Sequence, residues 1–171
     1  MRIFKNIYII IILLALSSCG FHLRGYNASS NYKLPFKTVY IQCDNVAICS
    51  NLTSLITKQD LSKVVTNAND AEATLRLSME ETSRDANDFN TAGRVSSYLL
   101  TYQATTEVWQ NGEQIGDKIT VHTDATMSYN SSLILSKDQE EADIWDKLHQ
   151  DAASQLIRRL IALKNRENNV N

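Results

Sequence analysis

Three cysteines, three histidines and a few carboxylate pairs are the side chains of this chain able to make or break bonds. His22, His122 and His149 lie far apart, and no HxH or HExxH spacing sets two imidazoles on one face for a metal. They read as solvated or singly hydrogen-bonded histidines, so no metal is expected. Glu80-Glu81, Glu140-Glu141 and Asp85/Asp88 are better explained as helix-start charges or solvated loop groups than as acid/base pairs. The five glycines, Gly20, Gly25, Gly93, Gly112 and Gly116, build no phosphate-cradling loop, and no GxSxG nucleophile elbow occurs. The chain is therefore expected to be no enzyme and to need no cofactor. Cys43 and Cys49 form C-x5-C rather than the C-x-x-C of a redox catalyst. In an oxidising compartment the expected state is a disulfide, the other reading being two buried small hydrophobes.

The third cysteine supplies the compartment. Arg2 and Lys5, an apolar run from Ile7 to Leu16, and the small residues Ser17 and Ser18 have the order of an export signal. The run is about half of the roughly 20 residues that cross a bilayer. Leu16-Ser17-Ser18-Cys19 resembles the bacterial lipobox, whose cysteine thiol is acylated and becomes the mature N-terminus. Residues 1–18 are thus expected to be a lipoprotein signal peptide, and Cys19 the lipidation site. At about 0.8 kcal/mol per buried methylene, two or three acyl chains hold a protein on a bilayer stably. Gly20 in place of aspartate points to the outer membrane, facing the periplasm.

Without residues 1–18 the chain has 153 residues, enough for one domain with a real core. Loss of Arg2 and Lys5 leaves 15 basic against 19 acidic residues, a net charge of −4. That balance excludes a general nucleic-acid binder, whose footprint is basic.

These residues need elements to position them. Residues 19–32 are polar and irregular, a lipidated tether, and residues 33–171 are expected to be a single α+β domain. Lys37 to Gln42 is β-branched and aromatic, a first strand. Asp44 and Asn45 are placed to cap a helix over Val46 to Gln59, with Ile48, Leu52, Leu55 and Ile56 on one stripe. Lys63 to Asp70 reads as a loop with at most a short strand. In the next strand Leu75, Leu77 and Met79 alternate with Arg76, Ser78 and Glu80, and Glu81 to Gly93 reads as a loop or frayed strand end. Ser97 to Trp109 places Tyr98, Leu100, Tyr102, Ala104 and Val108 on one face, with Thr101, Gln103, Thr105 and Glu107 on the other. Asn111-Gly112 signals a hairpin, so Lys118 to Tyr129 pairs back antiparallel and three strands form a meander.

The last element is the clearest helix. Ser136 and Gln139 make a capping-box pair, acids crowd its first turns, and Arg158, Arg159, Lys164 and Arg166 crowd its end. Ile144, Leu148, Ala152, Leu156, Leu160 and Leu163 form its core stripe. The order β-α-β-β-β-α predicts an α+β fold, two helices packed on one face of a largely antiparallel four-stranded sheet.

Cys19-Gly20-Phe21-His22-Leu23-Arg24-Gly25 resembles the mature start of the LPS-assembly lipoprotein LptE family, C-G-[FW]-x-L-R. Leu135-Ser136-Lys137-Asp138-Gln139-Glu140-Glu141-Ala142-Asp143-Ile144, running on to Leu160, resembles that family's C-terminal helix. The resemblance implies a non-enzymatic partner of the outer-membrane β-barrel LptD that plugs its lumen, assists its assembly and binds lipopolysaccharide for insertion into the outer leaflet. Lys137, in L-x-K-D, falls where the family carries a basic residue implicated in lipopolysaccharide binding. A second such position lies in a family stretch like F-R-N-G. Here it reads Phe89-Asn90-Thr91-Ala92-Gly93-Arg94, with the arginine displaced to Arg94; for both residues a solvated surface charge is the competing reading.

An acidic chain can bind lipid A phosphates only through a local cation cluster. Arg84, Arg94 and Lys137 are expected to converge at one end of the sheet, with Lys118 a weaker member. The strand face of Thr101, Gln103, Thr105, Thr120 and His122 is polar enough to meet a barrel lumen. The alternative is another non-enzymatic outer-membrane lipoprotein, a barrel-assembly accessory or secretion pilotin. A hydrolase would show a pocket lined by His122 or His149 with carboxylates.

Overall fold

The computed structural model describes residues 32–43, 47–129 and 134–167, the side chains of 134–136 and 164–167 excepted. Strand β1 (Thr38–Cys43) leads to helix α1 (Ile48–Lys58) and the short β2 (Lys63–Val65). Two long strands follow, β3 (Ala73–Phe89) and β4 (Val95–Gln110), then β5 (Glu113–Gln114), β6 (Ile119–Ser128) and helix α2 (Ile134–Glu167). The architecture is α+β with two helices. Its sheet has six strands rather than the four expected, in the order β2-β1-β3-β4, with β5 and β6 both pairing β4. β1 lies parallel to β2 and β3, while β3/β4 and β4/β6 are antiparallel. β2 is the short strand that Lys63 to Asp70 allows, while β5, at two residues, is too short for any periodicity to declare it.

Ile48, Leu52 and Ile56, four residues apart, are the buried stripe of α1. The helix ends where Asp60 turns left-handed at φ 50° and the Leu61 N–H returns to the Ile56 carbonyl at 3.0 Å, burying Leu61 beneath the last turn. Its first residues are held differently from expectation. Asp44 and Asn45 lie outside the described residues, Ala47 occupies the N-cap, and its N–H donates to both Glu80 carboxylate oxygens at 3.1 and 3.3 Å. A carboxylate across the sheet thus sits at the positive end of α1. Glu80 is a strand residue with a structural task, not a solvated loop charge.

A β-bulge at Ser78 explains a second correction. Leu77 pairs with Thr106 and Met79 with Thr105, so one extra residue shifts the alternation. Leu75 and Leu77 stay buried beneath the helices, but Met79 turns to the opposite face and is 51% exposed. Glu80 and Arg84 take the helix-facing positions, opposite Ala104 and Leu100. β3 then runs nine residues past the expected Glu80, to Phe89, through the stretch expected to be a loop or frayed strand end. Its polar composition reflects position rather than lack of structure: β1 ends at Cys43, opposite Leu77, and the rest of β3 is paired on one side only among the described residues.

At the other margin Asn111 and Gly112, with φ of 52° and 84°, make the two-residue turn the dipeptide predicts. β6 places Ile119, Val121 and Met127 against the helices. Its outer edge is not open. The Thr123 hydroxyl donates to the Leu148 carbonyl at 3.1 Å, Gln155 donates to the His122 carbonyl at 3.1 Å, and the Arg159 guanidinium donates to the Thr120 carbonyl. Side chains of α2 thereby occupy edge carbonyls that would template another strand. The capping-box expectation fails: α2 begins at Ile134, so Ser136 lies inside it, and Gln139 bonds Asp143 at 3.0 Å instead.

Cys43 and Cys49 are joined, their Cα atoms 6.3 Å apart, tying the end of β1 to the first turn of α1. Closing so short a loop is worth about 2 kcal/mol through the unfolded chain. The double replacement Cys43→Ser with Cys49→Ser is expected to lower Tm by several degrees relative to oxidised wild type. Thermal unfolding with and without reductant checks this; a reductant-insensitive wild-type Tm together with two freely labelled thiols contradicts it.

Candidate functional site

The β3–β4 hairpin and the start of α2 share one end of the sheet. Asn90 builds the hairpin turn: its side-chain oxygen accepts the N–H groups of Ala92 and Arg94, each at 3.0 Å, and Gly93 supplies φ 71°. Arg94 is exposed at this tip beside Phe89, which is 63% exposed, and no carboxylate among the described residues lies within ion-pair distance of it.

Arg84 sits deeper. Its guanidinium lies 3.7 Å from the centre of the Tyr98 ring, and its Nε donates to Glu141 of α2 at 3.1 Å. Tyr98 meets Tyr129 edge to face at 5.2 Å. Lys137, one helical turn before Glu141, is drawn against the protein with its side chain 15% exposed, and its ammonium bonds Glu140 at 2.5 Å. Its charge is already met by its own helix, so it is not a freely solvated surface lysine.

Arg84 and Lys137 therefore meet the same stretch of α2. Arg94 shares their end of the sheet but not their contacts, since the five rungs from Arg84 to Phe89 set it about 17 Å farther along. Lys118 does not belong here. It lies just before β6 at the opposite end, 2.7 Å from Glu107. Glu107 is held well below the usual carboxylate range by Lys118, helped by the Trp109 indole N–H at 3.0 Å. Cys19 falls outside the described residues.

Sequence reasoning missed a second polar cluster beneath the helices. Tyr102 is fully buried, its ring 4.5 Å from that of His149, and its hydroxyl has no hydrogen-bond partner among the described residues. Burial, with the Glu80 carboxylate close by, raises its hydroxyl far above the ordinary tyrosine value. Burial likewise pushes His149 below its ordinary 6.5, only partly offset by Glu80 and Asp146. The cluster holds no activated nucleophile. A tyrosine and a glutamate read as strand residues gave no sign that α1 would be docked on one of them. Among the described residues no group of His, Cys, Asp and Glu is placed to hold a metal, and no described helix is long and apolar enough to cross a membrane.

Among the described residues no helix packs on the far face of the sheet. Thr101, Gln103 and Thr105 of β4 lie opposite Asp124, His122 and Thr120 of β6, and the hydroxyls of Thr105 and Thr120 bond at 3.0 Å. Residues 36–160, most of the chain, match the lipopolysaccharide-assembly family LptE. The chain belongs to the LptE family. Among solved structures, a lipoprotein B from Nitrosomonas europaea is similar over 85% of this chain and 93% of its own, at 24% identity and TM-score 0.71. The rare lipoprotein B of Shewanella oneidensis covers 77% of this chain and 98% of its own at 16% identity and TM-score 0.66. A minor lipoprotein of Acinetobacter baumannii covers 77% and 95%, at 19% identity and TM-score 0.64. These likenesses show the shared fold. No curated protein matches the sequence.

Within this LptE-family fold, Glu140 competes for Lys137 with any bound anion. On the expectation from the family resemblance that Lys137 contacts lipopolysaccharide, Lys137→Gln should weaken that binding about tenfold or more, since a charge-assisted contact contributes roughly 1.5–3 kcal/mol. Glu140→Gln is expected to leave binding intact or strengthen it. Binding titrations of both, with Arg94→Gln in parallel, check this; equal affinity for Lys137→Gln and wild type removes Lys137. A second expectation concerns pH. A histidine depressed in the fold leaves stability complete above about pH 6.5 and loses it as pH falls, because the unfolded chain takes the proton first. Between pH 7 and about pH 5.5 the Tm of wild type should fall more than that of His149→Gln.

Proposed function

We propose that the protein is acylated at Cys19, is held on the outer membrane facing the periplasm, and plugs the lumen of the LptD β-barrel. It assists assembly of that barrel and presents lipopolysaccharide to it through Lys137, with Arg94 at the hairpin tip as a second contact. The observation that carries this reading is the family match over residues 36–160, because it spans the sheet, the hairpin and the helix that bears Lys137. The geometry is compatible with it. A sheet face bearing Thr101, Gln103, Thr105 and Thr120, uncovered by helices among the described residues, suits a polar barrel wall, and cations lie at one end for a phosphorylated lipid. Both roles are binding and assembly, with no chemical step.

Detergent extraction tests the partner. A β-barrel of large mass is expected to follow the lipoprotein through purification; its consistent absence sinks the plug reading and favours an accessory or pilotin. Cys19→Ala is expected to accumulate as unacylated precursor, read by mass spectrometry of the N-terminal peptide. Recovery of acylated outer-membrane protein from that variant overturns the anchor.

A further inference from the structure

Positive charge is concentrated in the first third of the mature chain. Residues 19–63 carry Arg24, Lys33, Lys37, Lys58 and Lys63 against Asp44 and Asp60, a net +3, whereas residues 64–171 carry 10 basic and 17 acidic residues, a net −7. The fold gathers Lys33, Lys37 and Lys63 around one depression. Lys63 donates its N–H to the Lys37 carbonyl at 3.0 Å, Leu34 donates to the Leu61 carbonyl at 3.0 Å, and the Ser62 hydroxyl donates to the Phe36 carbonyl at 3.0 Å. These bonds lay residues 33–37 along the chain leaving α1, so that Lys33, Lys37 and Lys63 border a depression of about 420 Å³. Lys58, the last residue of α1 and two before Asp60 in the chain, lines a separate depression beside Thr57.

All four lysines are exposed. The counter-charges are few. Asp60 pairs with Lys33 at 2.9 Å, and Glu72 accepts the backbone N–H of Lys37 at 2.6 Å rather than its ammonium. Among the described residues no carboxylate lies within ion-pair distance of the ammonium of Lys37, Lys58 or Lys63. Tyr32, 64% exposed, enters at the same place with an amphipathic ring suited to a headgroup layer.

We propose that this lysine cluster is a membrane-apposed face, seating the domain on anionic phospholipid headgroups of the leaflet that holds the Cys19 acyl chains. The proposal rests on the anchoring at Cys19 stated above. Thirteen residues lie between Cys19 and Lys33, at most about 50 Å even fully extended, so the cluster stays within reach of the bilayer. Each lysine near an anionic surface strengthens its hold by about fivefold, and the attraction is screened by salt.

Lysine labelling tests this on the full-length acylated protein in phosphatidylcholine vesicles with and without phosphatidylglycerol. Lys33, Lys37, Lys58 and Lys63 are expected to react severalfold more slowly on the anionic vesicles at low salt and to recover at high salt, with Lys118 and Lys147 as unchanged references. Lys37→Gln with Lys58→Gln and Lys63→Gln should abolish the slowing at Lys33. Equal labelling on both vesicles overturns the proposal, as does equal slowing by inorganic phosphate on neutral vesicles. Flotation with the neutral vesicles separates the two claims: a protein that fails to float there has lost the anchor, whatever its lysines do.

Discussion

Everything in this domain hangs on the pairing of β3 with β4, and on the one residue by which that pairing slips. The two strands run together for nearly their whole length, with β1 on one flank and β6 on the other. Before the bulge at Ser78, β3 contributes Leu75 and Leu77 to an apolar core. After it, the same face of the sheet carries Glu80, Thr82 and Arg84. Without the slip Met79 would point at the helices, while Glu80 and Arg84 would point away. The slip brings the Glu80 carboxylate to the start of α1 and the Arg84 guanidinium to Glu141 of α2, so both helices are located by polar contacts from one strand.

That arrangement is costly if incomplete. Glu80 lies near the buried Tyr102 and the half-buried His149, where an unpaired charge would be strongly disfavoured. The Ala47 N–H, shared between the two carboxylate oxygens, offsets this, and the neutral imidazole avoids a second desolvated charge. The exposed Arg84–Glu141 pair contributes little by Coulomb attraction alone, up to about 1 kcal/mol. Its stacking on Tyr98 gives the guanidinium a fixed orientation, which matters more for positioning Lys137 one turn away.

Legibility followed length and periodicity. The faces of β4, the Asn111-Gly112 turn, the return of β6 and the apolar stripes of both helices were readable because each repeats a period several times. The bulge was not, since a single inserted residue leaves Leu75, Leu77 and Met79 alternating perfectly in the sequence. The polar half of β3 was unreadable because strand patterning reports burial, and among the described residues that half pairs with one neighbour and buries no side chain fully. At the candidate site the family resemblance named Lys137 and Arg94, but only the fold reveals that Glu140 holds the first and that the second stands apart. Lys118 was misplaced because a charge in sequence carries no address along a strand.

The length of β3 connects the two ends of the molecule. Its first residues lie at the lysine cluster, where Glu72 accepts the Lys37 N–H, and its last lie at the tip with Arg94. Seventeen residues at about 3.3 Å each make roughly 55 Å, against 40–45 Å for a bilayer with its headgroups. On the proposed reading, a domain standing in a barrel lumen with its lysines level with the periplasmic headgroups would set Arg94 at or beyond the outer headgroup layer. Arg84 would then lie about 17 Å nearer the bilayer interior, with Lys137 one helical turn, about 6 Å, closer to the tip. The cations would occupy successive depths rather than one pocket. A phosphorylated lipid moving outward through the barrel would meet the Glu140-restrained Lys137 first and the exposed Arg94 last, an order in which a held charge precedes a free one and transfer runs towards the outer leaflet.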